Sequence, residues 1–210
     1  MLNGRVPAAT ETPTTLCATF ADGSVVRGES EIPVANKRVK RIWLEPNNLA
    51  ASASVLDALY SAEGTVLAPG SLYTSVLPNL MVAGAGDAIR RSSAITILVR
   101  DLTTQPGETD QFSASDHLRA VETHLGEGVI DSCIVSAASA SPLSKQYLDA
   151  GSRYVIHDRQ QIRLMGAIPL EGAFADDGQR ETSPSFRQTG PSGYVHHASE
   201  RTLARSSWPS

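Results

Sequence analysis

The sequence predicts an α/β fold: a parallel sheet crossed by helices, with a small antiparallel β-hairpin element near the N-terminus. Three observations predict it. Short apolar runs alternate with helical stretches from residue 48 to about residue 157, the pattern of a parallel sheet with right-handed crossovers. A strand–loop–helix corner, GTVLAPGSLYTSVLPNLMV at 64–82, lies at the centre of that pattern. Ahead of it, Asp22-Gly23 joins two β-favouring runs. That dipeptide is a strong hairpin signal, because Gly accepts the positive φ such turns require.

Taken in order, Leu16–Phe20 and Ser24–Gly28 form the hairpin, and Lys37–Leu44 reads as a third strand. Its basic residues, Lys37, Arg38, Lys40 and Arg41, read as a solvated strand face or, less readily, as an anion patch. Asn48 can cap a helix to about Ser61, with Val55, Leu56, Leu59 and Tyr60 on its apolar face. Thr65, Val66 and Leu67 suit a strand buried on both faces. A helix then runs from Ser75 or Pro78 to Arg91. Ile95–Val99 is another apolar strand, followed by a polar loop at 101–111. Ser115 can cap a helix carrying Leu118, Val121 and Leu125, with Gly126 as its stop. Val129–Val135 is the next strand, Pro142–Ala150 a short helix and Arg153–His157 a further strand. The segment 176–193, rich in Gly, Ser, Thr and Pro, reads as a mobile linker, and 194–210 as a short helix and tail.

The composition excludes several classes of function. The 210 residues suffice for one domain with a sizeable core. Net charge is -4, against the basic surface a general nucleic-acid binder needs. Aromatic residues make up 5%, too few for a base-stacking platform. No apolar run reaches the ~20 residues of a membrane span, and no signal peptide is visible at the start. Cys17 and Cys133 sit among apolar neighbours and read as buried reduced thiols. A cytoplasmic protein follows.

The central corner carries the clearest chemistry. Pro69-Gly70 stops the strand, and Gly70 lets the backbone approach a ligand. Ser71, Tyr73, Thr74 and Ser75 supply four hydroxyls. The N–H groups and dipole of the following helix favour an anion, so the corner reads as a phosphate or diphosphate cradle at the carboxyl end of a parallel strand. It lacks the Lys of a P-loop and the three-glycine dinucleotide fingerprint. The bland alternative is an ordinary structural corner. Glu108 reads equally as a general base or ribose ligand and as a residue that orders its loop. His157-Asp158 reads as a strand terminus, and His196-His197 lacks the further ligands a metal needs. No nucleophile elbow or catalytic triad is visible.

GESEIP (28–33), RVKRIWLEP (38–46), PGSLYTSVLPNL (69–80), TQPGET (104–109), DHLRA (116–120) and HLGEG.ID (124–131) occur in order. Together they closely resemble the bacterial gluconeogenesis factor family, which belongs to the 2-phospho-L-lactate transferase superfamily and binds uridine diphosphate sugars. The resemblance covers about residues 4–170, with a faint tail near 194–205. It implies part of a Rossmann-like three-layer parallel sheet over 1–175, with the hairpin element at about 14–46. The family's Rossmann-type first half, with its GGGTG, DDGGSSG and GDxRN segments, has no match, so the chain looks like the second half of such a protein. The pattern also departs from the family at Asp101-Leu102-Thr103, at Ser136-Ala137 and at His196, where an Arg is usual.

The resemblance implies a regulatory protein that binds UDP-N-acetylglucosamine and acts in carbon metabolism and cell-wall or cell-shape control. The implied ligand residues are Gly70, Ser71, Leu72, Tyr73, Thr74, Ser75 and Asn79 on the first loop. Thr104, Gln105, Gly107, Glu108 and Thr109 form the second set, with His197 near the end. Its partners would be the UDP-sugar and an N-terminal half or a second copy. The alternatives are a phospholactyl-type transferase using magnesium, and a non-binding remnant that needs a partner half. No catalytic residue is assigned.

Overall fold

The computed structural model of the chain describes residues 4–136 and 145–172. Two sheets form. The first is antiparallel, in the order β2-β1-β3, from β1 (Thr15–Phe20), β2 (Val25–Arg27) and β3 (Val39–Glu45). The Asp22-Gly23 turn joins β1 to β2 as the sequence suggests: Gly23 has φ 84°, and the Asp22 carboxylate accepts from the Ser24 N–H at 2.9 Å. Leu16, Ala18 and Phe20 face Ile42 and Leu44 across one buried side. Lys37 pairs with Asp22 at 2.7 Å, while Arg38, Lys40 and Arg41 are exposed, so the basic run is a solvated strand face. The one-turn helix α1 (Glu31–Val34) links β2 to β3 and buries Ile32.

The second sheet is parallel. It contains β4 (Gly64–Leu67), β5 (Ile95–Val99), β6 (Ser132–Ser136) and β7 (Ile168–Gly172), in chain order. Around it lie α2 (Ala53–Ser61), α3 (Leu77–Leu80), α4 (Ala85–Arg91), α5 (Ala114–Leu125), α6 (Lys145–Asp149) and α7 (Arg159–Leu164). Leu67, Leu98, Cys133 and Val135 join the core formed with Leu77, Ile89, Leu118, Val121 and Leu125. Cys17 and Cys133 are both free and buried. No described helix is long and apolar enough to cross a membrane.

Several expected elements differ. The strand at 65–67 is not buried on both faces: β4 lies at the sheet edge, and Val66 is 56% exposed. The helix expected to reach Arg91 breaks into a π-helical turn at Leu72–Val76, then α3, then α4. The break is tertiary. Ala83 donates its N–H to the Leu49 carbonyl and accepts from the Ala51 N–H, and Gly84 supplies the left-handed turn at φ 94°. Asn48 is not a cap. It takes φ 68° in the connection, and α2 begins after Ser52, whose hydroxyl donates to the Ala8 carbonyl.

The cap of α5 is Ser113, not Ser115. Ser113 and Asp116 form a reciprocal capping box, at 3.3 Å and 2.9 Å. The strand expected at Arg153–His157 makes only single bridges, from Tyr154 to Thr103 and from Ile156 to Ser113. The fourth sheet strand is β7, whose Pro169 and Gly172 hid the strand signal; Pro is tolerated at an edge. The segments 176–193 and 194–210 lie outside the described residues.

Candidate anion-binding site

The candidate site lies where β4 and β5 end. The sheet is parallel, so both strands deliver their loops to the same rim. The loop after β4 carries Ser71, Tyr73 and Thr74, and the loop after β5 carries Gln105 and Glu108. They meet side chain to side chain. The Gln105 amide nitrogen donates to the Ser71 hydroxyl oxygen at 2.8 Å. Glu108 accepts from the Tyr73 N–H at 3.2 Å and from the Thr74 hydroxyl at 3.4 Å. Tyr73 stands edge-on to Phe112, and Phe112 edge-on to His117, which ties the first loop to α5.

These bonds correct the expectation that the N–H groups of the turn are free. Glu108 holds the Tyr73 N–H, and the Ser71 carbonyl accepts from the N–H groups of Ser75 and Val76. Glu108 already fills part of the cradle with a carboxylate, in the manner an anion would. It is 6% exposed. Burial, with a further push from Asp101, raises its pKa to about 7 against the pull of its two hydrogen bonds. Near neutral pH the group therefore exchanges a proton readily. Of the two sequence readings of Glu108, loop ordering is the one visible in its contacts. The Tyr73 hydroxyl is pushed up in pKa, chiefly by burial and then by Glu108.

The remaining sequence candidates separate by position. Leu72 is buried in the core, and Ser75 and Asn79 lie exposed, with the Asn79 amide donating back to the Ser75 carbonyl at 2.7 Å. Thr109 is buried and accepts from the Gln105 N–H, while Thr104 exchanges two hydrogen bonds with the backbone of Arg153. Both order the second loop. Gly107 faces away from the rim. A Cβ there would lie 3.2 Å from the backbone N and O of Lys37, and its carbonyl accepts from the Val39 N–H, so it docks the loop on the antiparallel sheet. A Cβ at Gly70 would meet only the Ser75 Cβ, at 3.4 Å. His197 lies outside the described residues.

A second polar group joins Arg100, which was not singled out from the sequence, to the His157-Asp158 pair read there as a strand terminus. Arg100, 6% exposed, donates to the Asp101 carbonyl at 2.6 Å and to the His157 ring nitrogen Nδ1. Burial first, then Arg100 and Arg159, lowers the pKa of His157, which suits a neutral imidazole accepting at Nδ1. Asp158 accepts from the N–H and hydroxyl of Ser115, at 3.0 Å and 2.5 Å. It thereby anchors the first turn of α5. The available signal was a charged pair closing an apolar strand, ILVRD, at the rim where α/β sites gather. Among the described residues, no three His, Cys, Asp or Glu side chains converge to hold a metal ion.

The family model for 2-phospho-L-lactate transferase CofD matches residues 1–175. The gluconeogenesis factor of Halalkalibacterium halodurans is 39% identical over 174 residues, covering 82% of this chain and 54% of that protein. That of Bacillus subtilis is 34% identical over 166 residues, covering 79% and 52%. A crystal structure of a Bacillus halodurans protein superposes with a TM-score of 0.73 at 37% identity, covering 80% of this chain and 56% of that one. The chain thus spans about half the length of the relatives it matches.

Proposed function

The chain belongs to the 2-phospho-L-lactate transferase CofD family, and from that premise we propose that it binds a nucleotide sugar at the β4–β5 rim. We take it as a regulatory protein of the gluconeogenesis-factor kind, the name its relatives carry. Gly70, Ser71, Tyr73 and Thr74 hold the diphosphate, and the 104–109 loop approaches the sugar or ribose. UDP-N-acetylglucosamine is the ligand we propose, with a role in carbon metabolism and cell-wall or cell-shape control. Two buried free thiols suit a reducing compartment, and we place the protein in the cytoplasm.

One observation carries the reading. The two loops are latched through Gln105 and Ser71, and the Gln105 amide oxygen is buried with no hydrogen-bond partner among the described residues. A buried acceptor of that kind is costly unless something donates to it. Ribose and sugar hydroxyls donate, and a diphosphate beside them would take the Ser71 hydroxyl. The transferase reading has the family description behind it; among the described residues no three His, Cys, Asp or Glu side chains converge on one point, and no step is derived through magnesium.

Calorimetric titration with UDP-N-acetylglucosamine tests the proposal. Ser71→Ala is expected to weaken binding by about 0.5–1.5 kcal/mol, the usual worth of one hydrogen bond, or up to ~3 if it meets a desolvated phosphate charge. Gly70→Val should weaken it more, by placing a branched side chain against the phosphates. Binding equal to wild type in a folded Gly70→Val variant would move the cradle elsewhere. No heat from the wild-type chain at millimolar ligand would remove the nucleotide-sugar reading for this chain.

A further inference from the structure

The candidate cradle has no cation of its own. Neither the corner at 64–82 nor the loop at 101–111 contains a Lys or Arg, and the second loop brings Asp101, Glu108 and Asp110. The Asp101 charge is felt at Glu108, where it adds to the effect of burial in raising the pKa. A diphosphate diester is ionised on both phosphates at neutral pH. Hydroxyls and N–H groups alone answer that charge poorly beside carboxylates, because like charges at a half-dry rim repel. A rim that holds such an anion needs a cation from another element.

The antiparallel sheet brings one to the spot. The Gly107 carbonyl accepts from the Val39 N–H at 3.0 Å, and a Cβ on Gly107 would lie 3.2 Å from the Lys37 backbone. Arg38 is the residue between these two contacts, so its backbone is fixed beside the second loop. The Ala21 N–H, donating to the Arg38 carbonyl at 2.9 Å, holds it from the other side. The Arg38 side chain is exposed and makes no ion pair among the described residues, whereas Lys37 is engaged with Asp22. Its reach shows at the first loop. Burial and then Glu108 push the Tyr73 hydroxyl up in pKa, and Arg38 pulls it down. One arginine therefore adjoins both loops. Arg41, in the same basic run, is placed differently: it pairs in register with Thr19, on the side of the antiparallel sheet opposite Ile42 and Leu44.

Resting on the nucleotide-sugar reading, we propose that Arg38 is the phosphate-binding cation of this rim. When the ligand seats, its guanidinium turns toward the Tyr73 side of the rim and donates N–H groups to oxygens of the diphosphate. A guanidinium suits the task better than an ammonium, since its planar fork meets two oxygens at once and stays charged at every working pH. It supplies the positive charge that the two loops lack and offsets the carboxylates beside them. The exposed stem lets the group stand in water without ligand and turn inward with it, at a cost in side-chain entropy.

Calorimetric titration of the 210-residue chain with UDP-N-acetylglucosamine, at low and high salt, tests the assignment. Arg38→Gln should weaken binding at least about tenfold and flatten its salt dependence. Arg38→Lys keeps the charge without the fork, and should keep the salt dependence while recovering only part of the affinity. Arg41→Gln removes the same charge from the same strand and should stay within about twofold of wild type. Both positions are exposed, so far-ultraviolet circular dichroism should be the same in every variant. The loss in Arg38→Gln should be similar for UDP, which carries the diphosphate without the sugar. A loss confined to UDP-N-acetylglucosamine would put Arg38 on the sugar and overturn the proposal. Wild-type affinity in Arg38→Gln, or equal weakening by Arg41→Gln, would overturn it too and leave the nucleotide-sugar reading standing. A wild-type chain that binds neither nucleotide would overturn that reading, and the role of Arg38 with it.

Discussion

Glu108 makes the stability of this protein depend on pH in a direction opposite to that of most carboxylates. Its pKa is pushed up from 4.5 to about 7, first by burial. A raised folded-state pKa means that the native state holds the proton more tightly than the unfolded chain does. The associated stability is complete below pH 4.5 and is lost as pH rises through 7. At 1.36 kcal/mol per unit, the difference across that window is about 3 kcal/mol. Glu108→Gln removes the titration and keeps the shape. The Gln oxygen can accept from the Tyr73 N–H, and its amide can donate to the Thr74 hydroxyl oxygen, so both contacts at 3.2 Å and 3.4 Å have replacements. The variant should be more stable than wild type at pH 8, by about 1–3 kcal/mol once one charge-assisted hydrogen bond is given up. At pH 5 the advantage should vanish. Urea unfolding of both proteins at pH 5, 6.5 and 8 measures it. The difference between them cancels the other titrating groups. A Glu108→Gln protein less stable than wild type at pH 8 would refute the reasoning, and Glu108 would then be a carboxylate well paid by its partners.

Four shorter predictions follow from single residues. Gly107→Ala combines φ 83° with a Cβ at 3.2 Å from the Lys37 backbone, and should cost about 1–3 kcal/mol in urea unfolding. Gly70→Ala, where no positive φ is required, should stay within about 1 kcal/mol of wild type. Asp158→Ala leaves the Ser115 N–H and hydroxyl without their acceptor at the start of α5, an expected loss of about 1–3 kcal/mol with faster amide exchange in the first turn of that helix. Burial opposes the Asp158 charge, but the Ser115 bonds outweigh it and lower its pKa, so this contribution should fade as pH falls through the acid range. Cys133 is wholly buried and pushed up to about 11, so it should react with thiol reagents only after denaturant is added.

What could be read from the sequence was whatever local chemistry decides. The Asp22-Gly23 turn, the apolar strand at 95–99 and the Gly126 stop of α5 depend on a few adjacent residues, and they stand where the sequence puts them. The misses were set by distant partners. Nothing near Gly84 announces that Ala83 will pair with Leu49 and Ala51 and so divide a helix. Ser115 resembles a cap as well as Ser113 does; Ser113 takes the role through its box with Asp116, and the Ser115 N–H and hydroxyl go instead to Asp158, 43 residues away. The site followed the same division. The two loops could be named from their motifs. The orientation of Gly107 toward the antiparallel sheet, and the engagement of Glu108 with Tyr73, belong to the packing of one loop on another.

The internal hold of Glu108 on its neighbour loop constrains how any anion can bind there. An incoming phosphate must take donors that now serve the carboxylate, chiefly the Tyr73 N–H and the Thr74 hydroxyl. Exchanging one acceptor for another yields little net energy, and two negative groups in a buried rim repel strongly. The repulsion disappears if Glu108 takes up a proton, which its pKa of about 7 makes inexpensive. A diphosphate diester keeps its own charge from pH 6 to pH 8, so the proton must go to the protein. Binding at this rim should therefore draw in up to one proton per ligand and tighten as pH falls from 8 to 6. Calorimetry at pH 7.5 in two buffers of different ionisation enthalpy reads that uptake directly, and in Glu108→Gln it should disappear. Ligand binding with no proton uptake in the wild type would mean that the phosphates sit clear of Glu108, on donors other than Tyr73 and Thr74.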